Sequence, residues 1–444
     1  MRDGARSHCA APAATAQPGD TLTDIPEDDT FIGDPESGRK GRVRRVKASV
    51  TNRQVAGKRR LRKRHTVAKV ITSALLVLGT ATATTVVMIY HNWNSNLNHV
   101  DLTKQLPGDE RPPKPEVEGP KEPLNILVMG SDTRDCDGCN IDGLTGDGER
   151  SDTTILLHLS ADRKRAYGVS IPRDTLVDRP ACYGEDGKVI DDGATDTIWN
   201  EAFSVGGAAC TIRQFEKASH VRIDNYIVID FQGFKDMVNA LDGVEVCIPE
   251  DIDDTEHGIT LEAGTREIKG TEALSYVRVR HVGDGTDPQR IRRQQAFMAA
   301  MINKAISGGM LVRPDRLVKF LNAVTGSIQT DYDNIAQLAD LGQGFAGIGL
   351  DNIKFVTTPW FYSTAQVGRV EWMQPAVTEL WKLVRDDKPL TKQFTEQAIS
   401  ASDNPDGTPT PPSEGQTGNG GKGNNGNGDG GLSESERENA GLCT

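Results

Sequence analysis

The chain has 444 residues, 36% of them apolar and only 5% aromatic, with a formal net charge of −12. The charge is divided by sign: residues 1–69 hold 16 Lys and Arg against 8 Asp and Glu, and the remainder holds 35 against 55. So acidic a body excludes a chain-wide nucleic-acid surface, and the apolar residues left between the two ends suit one large domain.

In chain order, residues 1–69 lack a periodic apolar pattern and read as a basic, disordered tail. Val70–Tyr90 (VITSALLVLGTATATTVVMIY) is 21 residues without a formal charge, and about 20 suffice to cross a bilayer core. Its threonines are tolerable because their hydroxyls can bond back to helix carbonyls, and Trp93 follows as an interfacial residue. Between Arg39 and Arg64 lie 13 Lys and Arg, with none between Asn92 and Val100. That bias predicts a single-pass protein of the cell membrane, N-terminus cytoplasmic and body outside. A cleaved signal peptide fits less well, since the tail is long and no small-residue cleavage site follows. Residues 91–123 read as a Pro-rich spacer holding the body off the bilayer.

Residues 124–400 are the expected folded domain. LNILVMG (124–130), TTILLHL (153–159), AYGVSI (166–171), IDNYIVIDF (223–231), GVEVCI (243–248) and IKFVTTP (353–359) read as strands. GFKDMVNALD (233–242), TEALSYVRVR (271–280), RIRRQQAFMAAMINKAI (290–306) and NIAQLADLGQG (334–344) carry helical periodicity. Strands interleaved with helices imply an α/β layer architecture. Residues 401–444 form a Gly/Asn/Ser/Pro tract with almost nothing to bury, expected to be disordered.

Of seven cysteines, Cys9 lies in the basic tail, and Cys136, Cys139, Cys182, Cys210, Cys247 and Cys443 lie beyond the apolar segment. An even exported set fits an oxidising compartment, with the pairing open. Cys182 with Cys210 reads as a clamp on an intervening loop, and Cys136-Asp-Gly-Cys139 as a small loop disulfide. No second CxxC or nearby His pair supports zinc.

Charged residues gather where the strands stop. Asp132 and Arg134 follow the first strand, Arg150 and Asp152 precede the second, and Arg173 and Asp174 follow the third; Arg278, Arg280, Asp284, Asp287, Arg290, Arg292 and Arg293 cluster later. Arginine forks match phosphate oxygens bidentately. Paired carboxylates suit a hard cation such as Mg²⁺, which keeps some of its waters, and the combination neutralises a transferring phosphoryl group. No GxSxG, HExxH or GxxxxGK[ST] pattern is present. His158, inside the second strand, reads as a packed core residue rather than a base.

These motifs resemble the LytR-CpsA-Psr family of cell-envelope proteins: NILVMGSDTR (125–134), RSDTTILLHLS (150–160), SIPRD (170–174), IWNEAFSVGG (198–207), IDNYIVIDFQGFKDMVNALDGVEV (223–246) and ALSYVRVRH…DPQRIRRQQ (273–295). The cysteines, the Gly-rich tail and the Thr/Ala-rich span resemble actinobacterial members. The resemblance implies an α-β-α sandwich with a central mixed sheet and a long apolar lipid pocket. It also implies a phosphotransferase that moves a glycopolymer with its phosphate from a polyprenyl-diphosphate carrier to peptidoglycan, at the 6-hydroxyl of N-acetylmuramic acid. Its partners would be those two substrates and membrane lipid, with no nucleic acid. By the same resemblance Asp132 and Asp152 hold Mg²⁺ (Mn²⁺ the alternative), and Arg150, Arg173, Arg278, Arg280 and Arg290 contact phosphate with Gln294 nearby. Asp287 takes the acceptor proton, and Asp174 orients Arg173.

Two stretches depart from the family pattern. The segment DCDGCNIDGLTGDGE between Arg134 and Arg150 is longer than the family loop, and GDGTDPQR replaces its tight turn, which leaves Asp284 a rival to Asp287. Two other functions remain open on these residues: a polyprenyl-diphosphate phosphatase, with water as acceptor, and a non-enzymatic membrane-anchored envelope regulator.

Overall fold

The computed structural model describes residues 51–114, 121–132, 151–254, 259–279, 287–307, 313–406, 432–440 and 442–444, without the side chains of 51–64, 287, 288, 314 and 439. The chain divides into two compact units, Met1–Leu78 and Gly79–Thr444. What is described of the first unit is helix. This helix, α1 (Thr51–Asn96), contains a stretch, His65–Asn96, long and apolar enough to cross a membrane. Its threonines bond back as expected: the Thr72 hydroxyl donates to the Ala68 carbonyl at 2.9 Å, and Thr84 to Thr80 at 2.9 Å.

The second unit is built on an eight-stranded mixed sheet. In chain order its strands are β1 (Asn98–His99), β2 (Leu124–Ser131), β3 (Ser151–Leu159), β4 (Ala166–Ile171), β5 (Asn225–Asp230), β6 (Ile328–Thr330), β7 (Ile353–Thr357) and β8 (Ile399–Ser400). The spatial order is β1-β6-β5-β2-β3-β4-β7-β8. Strands β2, β4, β5 and β7 run parallel to one another, while β3 and β6 run against them. The central strands are apolar on both sides because both faces are covered. Helices α2 (Glu201–Ser219) and α8 (Ala376–Arg385) pack on Leu127, Met129, Leu156 and Val169. The other face carries α3 (Phe231–Ala240), α4 (Gly270–Arg278), α5 (Asp287–Ser307), α6 (Pro314–Ser327) and α7 (Ile335–Ile348). The body is thus an α-β-α sandwich.

Gly233 marks the tightest approach of α3 to α6: a Cβ there would run into the backbone of Ser327. His158 is buried, with Nδ1 2.8 Å from Asn125 Oδ1 and Nε2 3.1 Å from Asp387 Oδ1. It is a core residue, as expected.

Residues 51–69, expected in a disordered tail, are the first part of α1, and three further expectations need correction. Residues 97–114 are not a free spacer. Leu97 and Leu102 are buried, β1 joins the sheet, and Arg111 grips Glu216 through three bonds of 2.6–3.1 Å. The prolines there permit an extended path, and Glu110 and Arg111 between them pair with Arg213 and Glu216 on α2. Nor is all of 401–444 a loose tail. Ala401 is buried, the helix Glu434–Asn439 carries a capping box, and Ala440 and Leu442 enter the core beside α5. The reason is covalent as well as apolar, since Cys443 is bonded to Cys247 across 196 residues. Cys182 is bonded to Cys210; Cys9, Cys136 and Cys139 lie outside the described residues. Third, α2, α6 and α8 add helices that the periodicity reading had not marked.

Candidate functional site

The residues singled out by sequence come from one end of the sheet. Asp132 follows β2, Arg173 and Asp174 follow β4, and Asp152 lies at the start of antiparallel β3, which presents its N-terminal end on that side. Open α/β sheets place ligands at the carboxyl ends of parallel strands, where loops diverge. The pairing of β2 with β3 runs in register to Gly130–Thr153 and then shifts to Ser131–Ser151. Asp152 is the extra residue of that β-bulge. A bulge bends the strand and re-aims a side chain, and Asp152 lines the same cavity as Asp132.

Asp132, Asp152, Arg173, Asp174, Arg278, Arg290 and Gln294 all line one cavity of about 530 Å³. Much of the lining is apolar, with Val128, Ile155 and Ile229 from the sheet, Phe234 from α3, Leu274 and Val277 from α4, and Phe297 and Met298 from α5. The polar groups form a connected chain. Arg173 Nη1 donates to Asp152 Oδ1 at 2.8 Å, Arg173 Nε lies 3.4 Å from Asp174 Oδ2, and Arg369 pairs with Asp174 Oδ1. The Arg278 guanidinium lies 4.7 Å from the centre of the Phe231 ring, a cation–π contact that fixes it over the cavity. Gln294 donates to the Val277 carbonyl at 3.2 Å, and Arg290 reaches toward the Asp152 carbonyl at 3.5 Å. Arg290 and Asp132 are 4% and 6% exposed. Buried charges of this kind are held by paired, hydrogen-bonded neighbours.

Arg150, Arg280 and Asp284 lie outside the described residues, as does the side chain of Asp287, whose backbone opens α5. The structure also adds Asn200, Asp230, Phe231 and Arg369 to the lining. Asn200 belongs to the IWNE motif, and Asp230 caps α3 through the Gly233 N–H at 2.6 Å. Nothing in the local sequence marks Arg369, which reaches the site only through the late hairpin Trp360–Tyr362/Val370–Trp372.

Among the described residues no group of three or more His, Cys, Asp or Glu could hold a metal ion. The donor set here is two carboxylates at adjacent strand ends. A carboxylate has about four lone-pair sites, so Asp152 can keep Arg173 and still accept a cation. Mg²⁺ is commonly bound by one or two carboxylates plus substrate phosphates and waters. The residues fit it.

The fold and site together define an α/β protein with a largely apolar cavity whose lining also carries arginines and carboxylates. The chain belongs to the LytR_cpsA_psr family, whose pattern it matches over residues 87–385. It is 32% identical over 261 residues to the probable cell wall biosynthesis protein LcpB of Corynebacterium glutamicum, covering 57% of each chain. The chain therefore spans little more than half the length of that relative. It is 30% identical over 237 residues to the polyisoprenyl-teichoic acid--peptidoglycan teichoic acid transferase TagU of Enterococcus faecalis, covering 53% of this chain and 71% of TagU. The crystal structure of B. subtilis TagV aligns over 61% of this chain and 99% of that one, at 27% identity and a TM-score of 0.46.

Proposed function

We propose that this protein is a membrane-anchored phosphotransferase that moves a glycopolymer, with its phosphate, from a polyprenyl-diphosphate carrier to the 6-hydroxyl of N-acetylmuramic acid in peptidoglycan. The observation that carries the proposal is one cavity lined both by apolar side chains and by Arg173, Arg278 and Arg290, a lining suited to a molecule part lipid and part diphosphate. The family membership and the transferase name of TagU support it. Topology follows the charge bias: N-terminus in the cytoplasm, body on the outer face.

In this reading the arginines bind the diphosphate oxygens, and Asp174 holds Arg173 in line between itself and Asp152. Mg²⁺ held by Asp132 and Asp152, with Mn²⁺ the alternative, would supply neutralisation of charge on the phosphates. Arg150 and Arg280 extend the arginine set. A carboxylate, Asp287 with Asp284 its rival, takes the proton from the sugar hydroxyl. The hydroxyl oxygen then bonds to the glycan-side phosphorus, the bond from that phosphorus to the bridging oxygen breaks, and prenyl phosphate leaves. The product is a phosphodiester.

The test is the full chain in proteoliposomes with labelled lipid-linked glycopolymer, with and without peptidoglycan. Label is expected to enter peptidoglycan, and to stop doing so when divalent cations are chelated. Release of soluble label at the same rate without peptidoglycan would instead make the protein a phosphatase. No turnover of any lipid diphosphate would leave only the regulator.

A further inference from the structure

Outside α1, the large apolar side chains left exposed among the described residues are Val189, Ile190, Phe361, Tyr362, Val367 and Met373. Four of these six fall on the hairpin 360–372 and its immediate flank. Val367, in the loop between the two strands, is fully exposed. The hairpin is firmly mounted. The Val370 N–H donates to the Asp174 carbonyl at 3.2 Å, Thr175 bridges to Val370, and Trp372 packs on Trp199 and Trp381 at 6.0 and 5.8 Å. Its one basic residue, Arg369, is turned inward to Asp174. Its tip, residues 361–368, carries no charge, with Ser363, Thr364 and Gln366 among the apolar side chains, while Glu371 is half-buried on the strand opposite Phe361.

Its place in the sheet gives this surface a direction. The hairpin follows the C-terminal end of β7, the end at which Asp132, Asp152 and Arg173 gather. The chain also arrives at that end: β1 pairs in parallel with β6, whose first residue Ile328 lies opposite Ile229 near the end of β5. In the sheet order β1 and β7 are six strand spacings apart, about 29 Å, with β6, β5, β2, β3 and β4 between them. The cavity therefore lies between the point where the chain leaves its apolar helix and an exposed apolar hairpin.

We infer that the hairpin 360–372 is a second membrane contact, seating Phe361, Tyr362 and Val367 in the headgroup–acyl boundary of the bilayer. Aromatic residues favour that layer, and an uncharged apolar tip gains by burial in it. This rests on the reading that a prenyl-linked donor enters the cavity from the membrane. A sugar-stacking platform for the acceptor is less well matched, because Val367 and Met373 offer no flat ring.

The test uses the full chain in phosphatidylcholine–phosphatidylglycerol nanodiscs, with p-benzoylphenylalanine in place of Val367. A control carries it at Lys164, exposed in the turn at the opposite end of the sheet. On irradiation, lipid adducts are expected at 367 and not at 164. A second arm uses the double variant Phe361→Asp/Val367→Asp, neither residue lining the cavity. Transfer from a long-chain donor embedded in the membrane should fall about tenfold or more, while transfer from a short-chain, water-soluble donor is unchanged. Adducts only to added peptidoglycan, no lipid adduct at 367, or equal loss with both donors would each overturn the inference. Should the parent protein turn over neither donor, the proposed function fails, and the lipid adducts still decide the hairpin.

Discussion

At the scale of single residues, the chain Arg369–Asp174–Arg173–Asp152 is the most consequential arrangement in the molecule. Arg173→Ala should lower kcat about 10²–10³-fold, the usual cost of removing one donor aimed at developing charge, with little change in the urea midpoint. Arg278→Ala should act in the same way, since its contact with Phe231 is at the cavity rather than in the core. Steady-state kinetics beside equilibrium unfolding would check both, and unfolding with activity per folded molecule retained would make these arginines structural. A different residue contributes to acid stability. Burial alone raises the Asp387 carboxyl, but hydrogen bonds from His158 and the Ala161 N–H, with the charge of Arg165, leave it below the ordinary carboxylate value. A depressed folded-state pKa contributes stability that is present above the unfolded value, about 4, and is lost as pH falls through the lower folded one. Asp387→Asn should therefore flatten the loss of stability below about pH 4, read from urea midpoints across that range. The strand-end carboxylates and arginines were legible because charge is conspicuous beside apolar strands. Arg369 was not, because only tertiary folding brings its hairpin to the site.

At the scale of elements, legibility followed signal strength. Strands β2, β3, β4, β5 and β7 are short apolar runs bounded by polar ends, and they fold as read. Helix α2 was obscured by Gly206-Gly207, whose backbone is non-helical and divides it. Helix α8 is different: Ala376, Val377, Leu380, Trp381 and Val384 form a buried helical stripe that was present in the sequence to be read. The edge strands β1 and β8 have two residues each, too few to show any period. Close packing of elements also depends on features that periodicity does not carry. Gly233→Ala should push α3 off the Ser327 backbone and cost about 1–3 kcal/mol, measurable by chemical denaturation. A neutral result would mean that α3 can slide.

At the scale of the whole molecule, the corrected ends change how the body is held together. Residues 97–114 close over α2 through Arg111 and Glu216, and residues 432–444 close over α5 through Arg293, whose Nη1 donates to the Ala440 carbonyl at 3.3 Å. The bond between Cys247 and Cys443 locks the second closure. Cys443→Ser should lower stability by about 2–5 kcal/mol, and reductant should then cost the variant less than it costs the parent. An unchanged urea midpoint would show that Leu442 and Ala440 suffice alone. The sheet they enclose ends on each side in a strand two residues long. A sheet edge so brief offers a neighbouring chain almost no row of free N–H and C=O groups to copy. Molecules packed side by side therefore find little of this sheet's edge to extend, and the broad mixed sheet stays a private structure of each copy.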